Sequence, residues 1–175
     1  VAAGMAGGSS NAAAVLVGLN KLWNLNLSNQ QLEKIGLKLG ADVPFCINGG
    51  AVLALGIGEE LTPIKGLTKD VCILVCKPDL FVSTKEVYEC IDSKDIDKRP
   101  NNKFLIECLK NEDTRQLAEN MFNVLEGVTM DKHPVIQQIK DIMTNNRALG
   151  AMMSGSGPTV FGLYENREDA VKCKA

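Results

Sequence analysis

The run GMAGGSSN at residues 4–11, opening directly into the apolar stretch AAAVLVGLN, constrains the fold more than any other part of the chain. Glycines let a backbone take positive φ and approach a ligand closely. A loop of this kind feeding a helix converges successive N–H groups at the helix start, where the dipole adds partial positive charge. That is the construction of a phosphate cradle. Ser9, Ser10 and Asn11 are N-cap candidates, and a helix is expected from Asn11 to about Trp23. The two serines also offer hydroxyls to phosphate oxygens or to a bound Mg²⁺. No Lys follows the glycines, so the P-loop pattern is absent, and the spacing is not that of a dinucleotide fold. On these residues alone, a glycine turn with serine capping and no ligand stands beside phosphate binding.

The rest of the composition narrows the partners. The 175 residues carry 19 Lys+Arg against 21 Asp+Glu, a net charge of −2. No basic run marks a nucleic-acid or membrane surface, and the densest charge cluster, DSKDIDKR at 92–99, is mixed in sign and reads as a solvated loop. No apolar run reaches the ~18 residues of a membrane span. The six cysteines form no C-x-x-C pair and the chain has one histidine, so no metal site is expected and the thiols are read as reduced.

Local signals set the element order. SNQQLEKIGLKLG opens on a capping box, Ser28 to Gln31, and stops at Gly40. In ADVPFCINGGAVLAL, Pro44 and the Gly49–Gly50 pair are expected to punctuate short extended pieces. EELTPI reads as a further strand ending near Ile64. VCILVC (71–76) suits a buried strand, and STKE (83–86) caps a helix carrying Val87, Tyr88 and Ile91. Helices are expected at 103–110, at 114–125 and from Pro134 through Met143. The chain closes with a strand (148–153), a glycine turn (154–158), a strand (159–164) and the start of a helix. This order gives helices on one face of an antiparallel sheet, an α+β layer. A composition shift at IKGLTKD (64–70) places the boundary between a domain at 1–66 and one at 67–175.

Two further stretches attract chemistry. In LGADVPFC, Asp42 is a lone carboxylate among apolar neighbours just past a helix stop. It serves either as an Asx-type turn or cap, or as the group that orients and deprotonates a substrate hydroxyl in phosphoryl transfer. In MMSGSGPTVFG, the link is longer and richer in glycine than a tight hairpin needs, which suggests backbone that must come close to a ligand or another loop.

Taken in order, AGMAGGSSNAA, GADVPFC and GAMMSGSGPTVFG resemble the GHMP kinase superfamily, from residue 1 to the end of the chain. The resemblance implies a two-lobed α+β fold: an incomplete N-terminal lobe of the ribosomal-protein-S5-like domain 2 type, which carries ATP, and a C-terminal ferredoxin-like α/β sandwich. It also implies that a preceding portion with a catalytic Lys is absent, that the C-terminal end is clipped, and that residues 1–175 alone are inactive. Val1, Ala2, Ala3, Gly4, Met5, Ala6, Gly7, Gly8, Ser9 and Ser10 match the segment that binds the phosphates of ATP. Ala6 departs from the commoner Gly, and its methyl crowds the phosphates if the position needs positive φ. Asp42 matches the catalytic Asp. Gly155, Ser156 and Gly157 match the third motif, on the substrate side, and Tyr88 matches an aromatic residue set against a cytosine ring, beside an alternative as plain helix core. The wording GADVPF with SGSGPTVFG is nearest to the branch that phosphorylates the 2-hydroxyl of a cytidine-diphosphate-linked methylerythritol, in isoprenoid precursor synthesis, with ATP and Mg²⁺. Other members acting on homoserine, mevalonate or a sugar, and a non-catalytic nucleotide-binding relic, are the alternatives. The implied protein is a bacterial cytoplasmic enzyme, monomer or homodimer, with a small-molecule substrate and no nucleic-acid or membrane partner.

Overall fold

The computed structural model describes residues 4–93, 96 and 98–174. Lys94, Asp95 and Asp97 of the charged run, and Val1, Ala2 and Ala3 of the glycine-rich opening, lie outside the described residues. The chain divides into two compact units, Ala6–Gly66 and Leu67–Ala175, the second also taking in Gly4 and Met5.

In the first unit, helices α1 (Gly7–Leu22), α2 (Asn29–Leu37) and α3 (Val43–Asn48) pack on one another, followed by an antiparallel hairpin of β1 (Val52–Leu55) and β2 (Glu60–Pro63). The capping box at α2 forms as its sequence demands. Ser28 Oγ accepts from Gln31 N at 3.4 Å, and Gln31 Oε1 accepts from Ser28 N at 2.8 Å. Two expectations fail here. Of the stretch 41–55 only Val52–Leu55 is extended; Val43–Asn48 form α3, because Pro44 falls in the first turn of that helix, where its missing N–H costs nothing. Helix α1 starts four residues earlier than Asn11. Its N-cap is Ala6, held in the left-handed region at φ 46°, ψ 28° without a side-chain cap, so Ser9 and Ser10 lie inside the first turn.

The second unit is built on a three-stranded antiparallel sheet ordered β3-β5-β4, with β3 (Cys72–Cys76), β4 (Gly150–Met153) and β5 (Val160–Tyr164). Helices α4 (Thr84–Ile91), α5 (Asn102–Lys110), α6 (Thr114–Asn120), α7 (Glu126–Lys132), α8 (Val135–Asn145) and α9 (Arg167–Lys174) complete it. The core joins Val82, Val87, Leu125, Val128, Ile136, Met143, Met153 and Val160, all buried. Ile136 and Met143 stand seven apart on α8, with partly buried Ile139 between them, so one helical stripe faces the sheet. Full burial of such side chains contributes about 1.5–3 kcal/mol each. The helix expected over 114–125 stops at Asn120, and a separate α7 follows that the apolar pattern did not announce. Among the described residues no helix is long and apolar enough to cross a membrane.

Candidate active site

The loop end of the first unit presents backbone donors that the helix itself does not pair. The first intrahelical bond of α1 runs from Ser10 N to Ala6 O at 2.8 Å. The N–H groups of Gly7, Gly8 and Ser9 precede it and have no acceptor within the helix. No acidic residue occupies the first turn, so α1 itself supplies no carboxylate against the dipole's positive end. A Cβ added at Gly7 or Gly8 would meet nothing within 4 Å. The fold itself therefore does not require glycine there, although each costs ~1 kcal/mol of helix propensity against alanine. A surface that must let an anion reach the backbone does require it.

Asp42 belongs to the same unit and is placed by its neighbour. Val43, 1% exposed, packs its methyls against Gly36 and Gly40, which pins the turn from α2 into α3. That turn lies beside the start of α1: a Cβ at Gly40 would stand 3.9 Å from Ser9 Oγ. Asp42 holds the N-cap position of α3, yet its side chain makes no cap hydrogen bond and is exposed. The capping alternative left open by the sequence thus has no support in the geometry. The carboxylate does act on its surroundings. The Cys46 thiol is pushed above its ordinary value, first by burial and then by the charge of Asp42.

The second unit gathers the remaining candidates around the β4–β5 turn. Gly4 sits against this turn with φ 70°, and Ser154 Oγ donates to Gly4 O at 2.6 Å. A Cβ on Gly4 would overlap the Ser154 carbonyl, so this approach is open only to glycine. The turn closes through Ser154 N to Thr159 O at 2.8 Å and Gly157 N to Ser154 O at 3.0 Å, with Gly155 and Gly157 both at positive φ. Ser156 is buried, and its Oγ shares a hydrogen bond of 2.9 Å with Thr84 Oγ1 at the start of α4. Tyr88, four residues along α4, shares the helix face of Thr84 and is 53% exposed, so it is not a core residue.

Several residues that hold the turn were not anticipated. Asn123 Nδ2 donates to Met153 O and to Gly155 O, each at 2.8 Å. Glu126, 8% exposed, accepts from Met153 N at 2.7 Å through Oε1 and from Lys140 Nζ at 2.6 Å through Oε2. Thr129 Oγ1 donates to Ser156 O at 3.2 Å. The one available signal was the N-x-x-E spacing of Asn123 and Glu126 ahead of an apolar run, a cap-like pattern. Its partners are thirty residues away and are fixed only by the fold.

Residues 1–50 match the family model for the GHMP kinases N terminal domain, and residues 105–175 match the model for GHMP kinases C terminal. The chain is 68% identical over 171 residues to the 4-diphosphocytidyl-2-C-methyl-D-erythritol kinase of Clostridioides difficile (strain 630), covering 98% of this chain and 58% of that protein. It is 58% identical to the kinase of the same name from Alkaliphilus metalliredigens (strain QYMF), covering 95% of this chain and 57% of that protein. A crystal structure of 4-(cytidine 5'-diphospho)-2C-methyl-D-erythritol kinase superposes with a TM-score of 0.78 at 32% identity, over 98% of this chain and 60% of that one. Homoserine kinase from Cytophaga hutchinsonii ATCC 33406 gives a TM-score of 0.84 at 21% identity, over 98% and 59%, a likeness of fold. The chain thus spans about three-fifths of the length of these relatives. With both family models matched in order, and with relatives of this identity across nearly all of its length, the chain belongs to the GHMP kinases.

Proposed function

We propose that the protein is an ATP-dependent kinase that phosphorylates the 2-hydroxyl of 4-diphosphocytidyl-2-C-methyl-D-erythritol, a step toward isoprenoid precursors in the bacterial cytoplasm. The observation that carries this reading is the Gly40–Asp42 turn beside Ser9 at the start of α1, with Asp42 exposed and relieved of any capping duty. The names of the relatives supply the substrate. The segment Val1–Ser10 binds the nucleotide: the N–H groups of Gly7, Gly8 and Ser9 accommodate phosphate oxygens, and the hydroxyls of Ser9 and Ser10 add donors. ATP, when bound, supplies the phosphoryl group that is transferred. Asp42 orients the alcohol and takes its proton, and the work is otherwise positioning and charge stabilisation. Mg²⁺ accompanying ATP would offset charge on the transferred phosphoryl group. Gly155, Ser156 and Gly157 contact the substrate, and Tyr88 offers its exposed ring to the cytosine. In this reading residues 1–66 form the ATP-binding domain and 67–175 the second kinase domain.

The test is turnover by the natural full-length protein with Mg-ATP, followed as ADP release, against the cytidyl substrate, mevalonate, homoserine and galactose. ADP release with the cytidyl substrate alone is expected. Release with another alcohol removes the substrate assignment and keeps the kinase. Nucleotide binding without turnover on any of the four sinks the kinase reading.

A further inference from the structure

We propose that Glu126, with Asn123 and Lys140, is a positioning device that sets the Ser154–Gly157 turn for phosphoryl transfer. This inference rests on the function proposed above and assigns it residues outside the three glycine and Asp motifs. Three backbone groups flanking Ser154 are held by side chains from the start of α7: Met153 N by Glu126, and Met153 O and Gly155 O by Asn123. The ionised carboxylate spends its two oxygens on different donors, one on the turn and one on Lys140 of α8. The position of α8 is thereby passed to the turn through two short charge-assisted bonds.

The attraction between Glu126 and Lys140 does not by itself account for this arrangement. The Glu126 and Lys140 side chains are only 10% and 18% exposed, and desolvating such a pair consumes most of what their attraction returns. An apolar pair of similar volume would serve the core as well. It would leave the Met153 amide without an acceptor and the turn free to shift. On the far side the same turn bonds Gly4 through Ser154 and Thr84 through Ser156. A displacement at Met153 therefore shifts Gly155, Ser156 and Gly157, the part of the turn assigned to the alcohol substrate. A 1 Å misplacement of this kind is enough to cost a large factor in rate.

The experiment uses the natural full-length protein and three variants, Glu126→Gln, Asn123→Ala and the double Glu126→Gln/Lys140→Met. A glutamine has one acceptor, so in Glu126→Gln either Met153 N or Lys140 loses its partner. In the double variant no ammonium faces the amide, and the glutamine oxygen is left for Met153 N. Amide hydrogen exchange at Met153 and Gly155–Gly157 is read beside that of Ile136 and Met143, together with kcat and KM for both substrates. The expected result for Glu126→Gln and Asn123→Ala is at least tenfold faster exchange in the turn, with Ile136 and Met143 unchanged. The same two variants lose at least tenfold in kcat/KM for the alcohol while the KM for ATP moves less than threefold, and the double variant recovers most of that loss. Unchanged kinetics with a loosened turn overturn the inference and leave the kinase reading intact. So does faster exchange throughout α8 with parallel loss for both substrates, which is a purely structural role. A wild-type protein without turnover on any of the four alcohols overturns the proposed function and this inference with it.

Discussion

Ala6→Gly is a perturbation whose sign follows from one backbone angle. Ala6 caps α1 at φ 46°, ψ 28°, in the left-handed region, with no side-chain hydrogen bond to offset the strain. An L-residue with a Cβ costs roughly 1–2 kcal/mol there, because the methyl approaches the following carbonyl. Glycine removes that cost but loosens the unfolded chain, which offsets about 0.4–1 kcal/mol. The balance is a net stabilisation of about 0.5–1 kcal/mol. For a chain of this size each kcal/mol moves the midpoint by about 2–4 °C, so Ala6→Gly raises Tm by about 1–4 °C. Ala6→Val, branched at Cβ, lowers it, since branched residues are true outliers at positive φ. Thermal unfolding by circular dichroism, with reversibility checked, reads both. If Ala6→Gly lowers Tm, the residue occupies an ordinary φ in solution and the argument for a strained cap is wrong. The same substitution also removes a methyl at the N-cap beside the proposed phosphate cradle, so nucleotide affinity holds or tightens by isothermal titration.

Three other outcomes follow from the structure. Gly4→Ala forces alanine to φ 70°, costing about 1–2 kcal/mol, and sets a methyl on the Ser154 carbonyl, so the total loss in a urea titration exceeds that and nucleotide binding weakens. Tyr88→Ala changes stability by no more than about 0.5 kcal/mol, because the ring is half exposed. In steady-state assays it raises the KM for the cytidyl substrate by the equivalent of roughly 1–3 kcal/mol of base stacking, with the KM for ATP unchanged. Alkaline pH destabilises the fold. Burial, first of all, pushes the Tyr164 phenol and the Cys108 thiol above their ordinary values, with Cys173 adding to the former and Asp113 to the latter. These acids stay protonated in the folded state where the unfolded chain has lost its protons, so stability falls as pH rises above about 9. The urea midpoint at pH 10 lies below that at pH 7.5.

Legibility in the sequence tracked locality. Strands β3 and β5 and the helices α2, α4, α5 and α8 follow from apolar runs and caps within a few residues of each other. The α+β layering with an antiparallel sheet came with them. The start of α1 was misplaced because a strained Ala6, rather than a serine side chain, begins it. Helix α3 was missed because Pro44 reads as a breaker in either direction, although a proline in the first turn is compatible with a helix. Helix α7 was missed because the chain turns extended at Met121, and Asn123 then bonds the carbonyls of Met153 and Gly155, a demand that no local pattern carries. The same division holds for the candidate site. Asp42 and the Gly155–Gly157 turn stood out as motifs, whereas Asn123, Glu126, Thr129 and Lys140 reach the turn only through tertiary contacts.

The most direct measurement compares wild type and Asp42→Asn in the natural full-length protein, with Mg-ATP and the cytidyl substrate. The Asp42 side chain makes no cap hydrogen bond and is exposed, so the isosteric change leaves Tm within ~1 °C of wild type. Loss of the proton acceptor lowers kcat by roughly 10²–10⁴-fold, while ATP still binds. A variant that turns over at the wild-type rate contradicts the account, because the carboxylate would then have no part in the chemistry assigned to it.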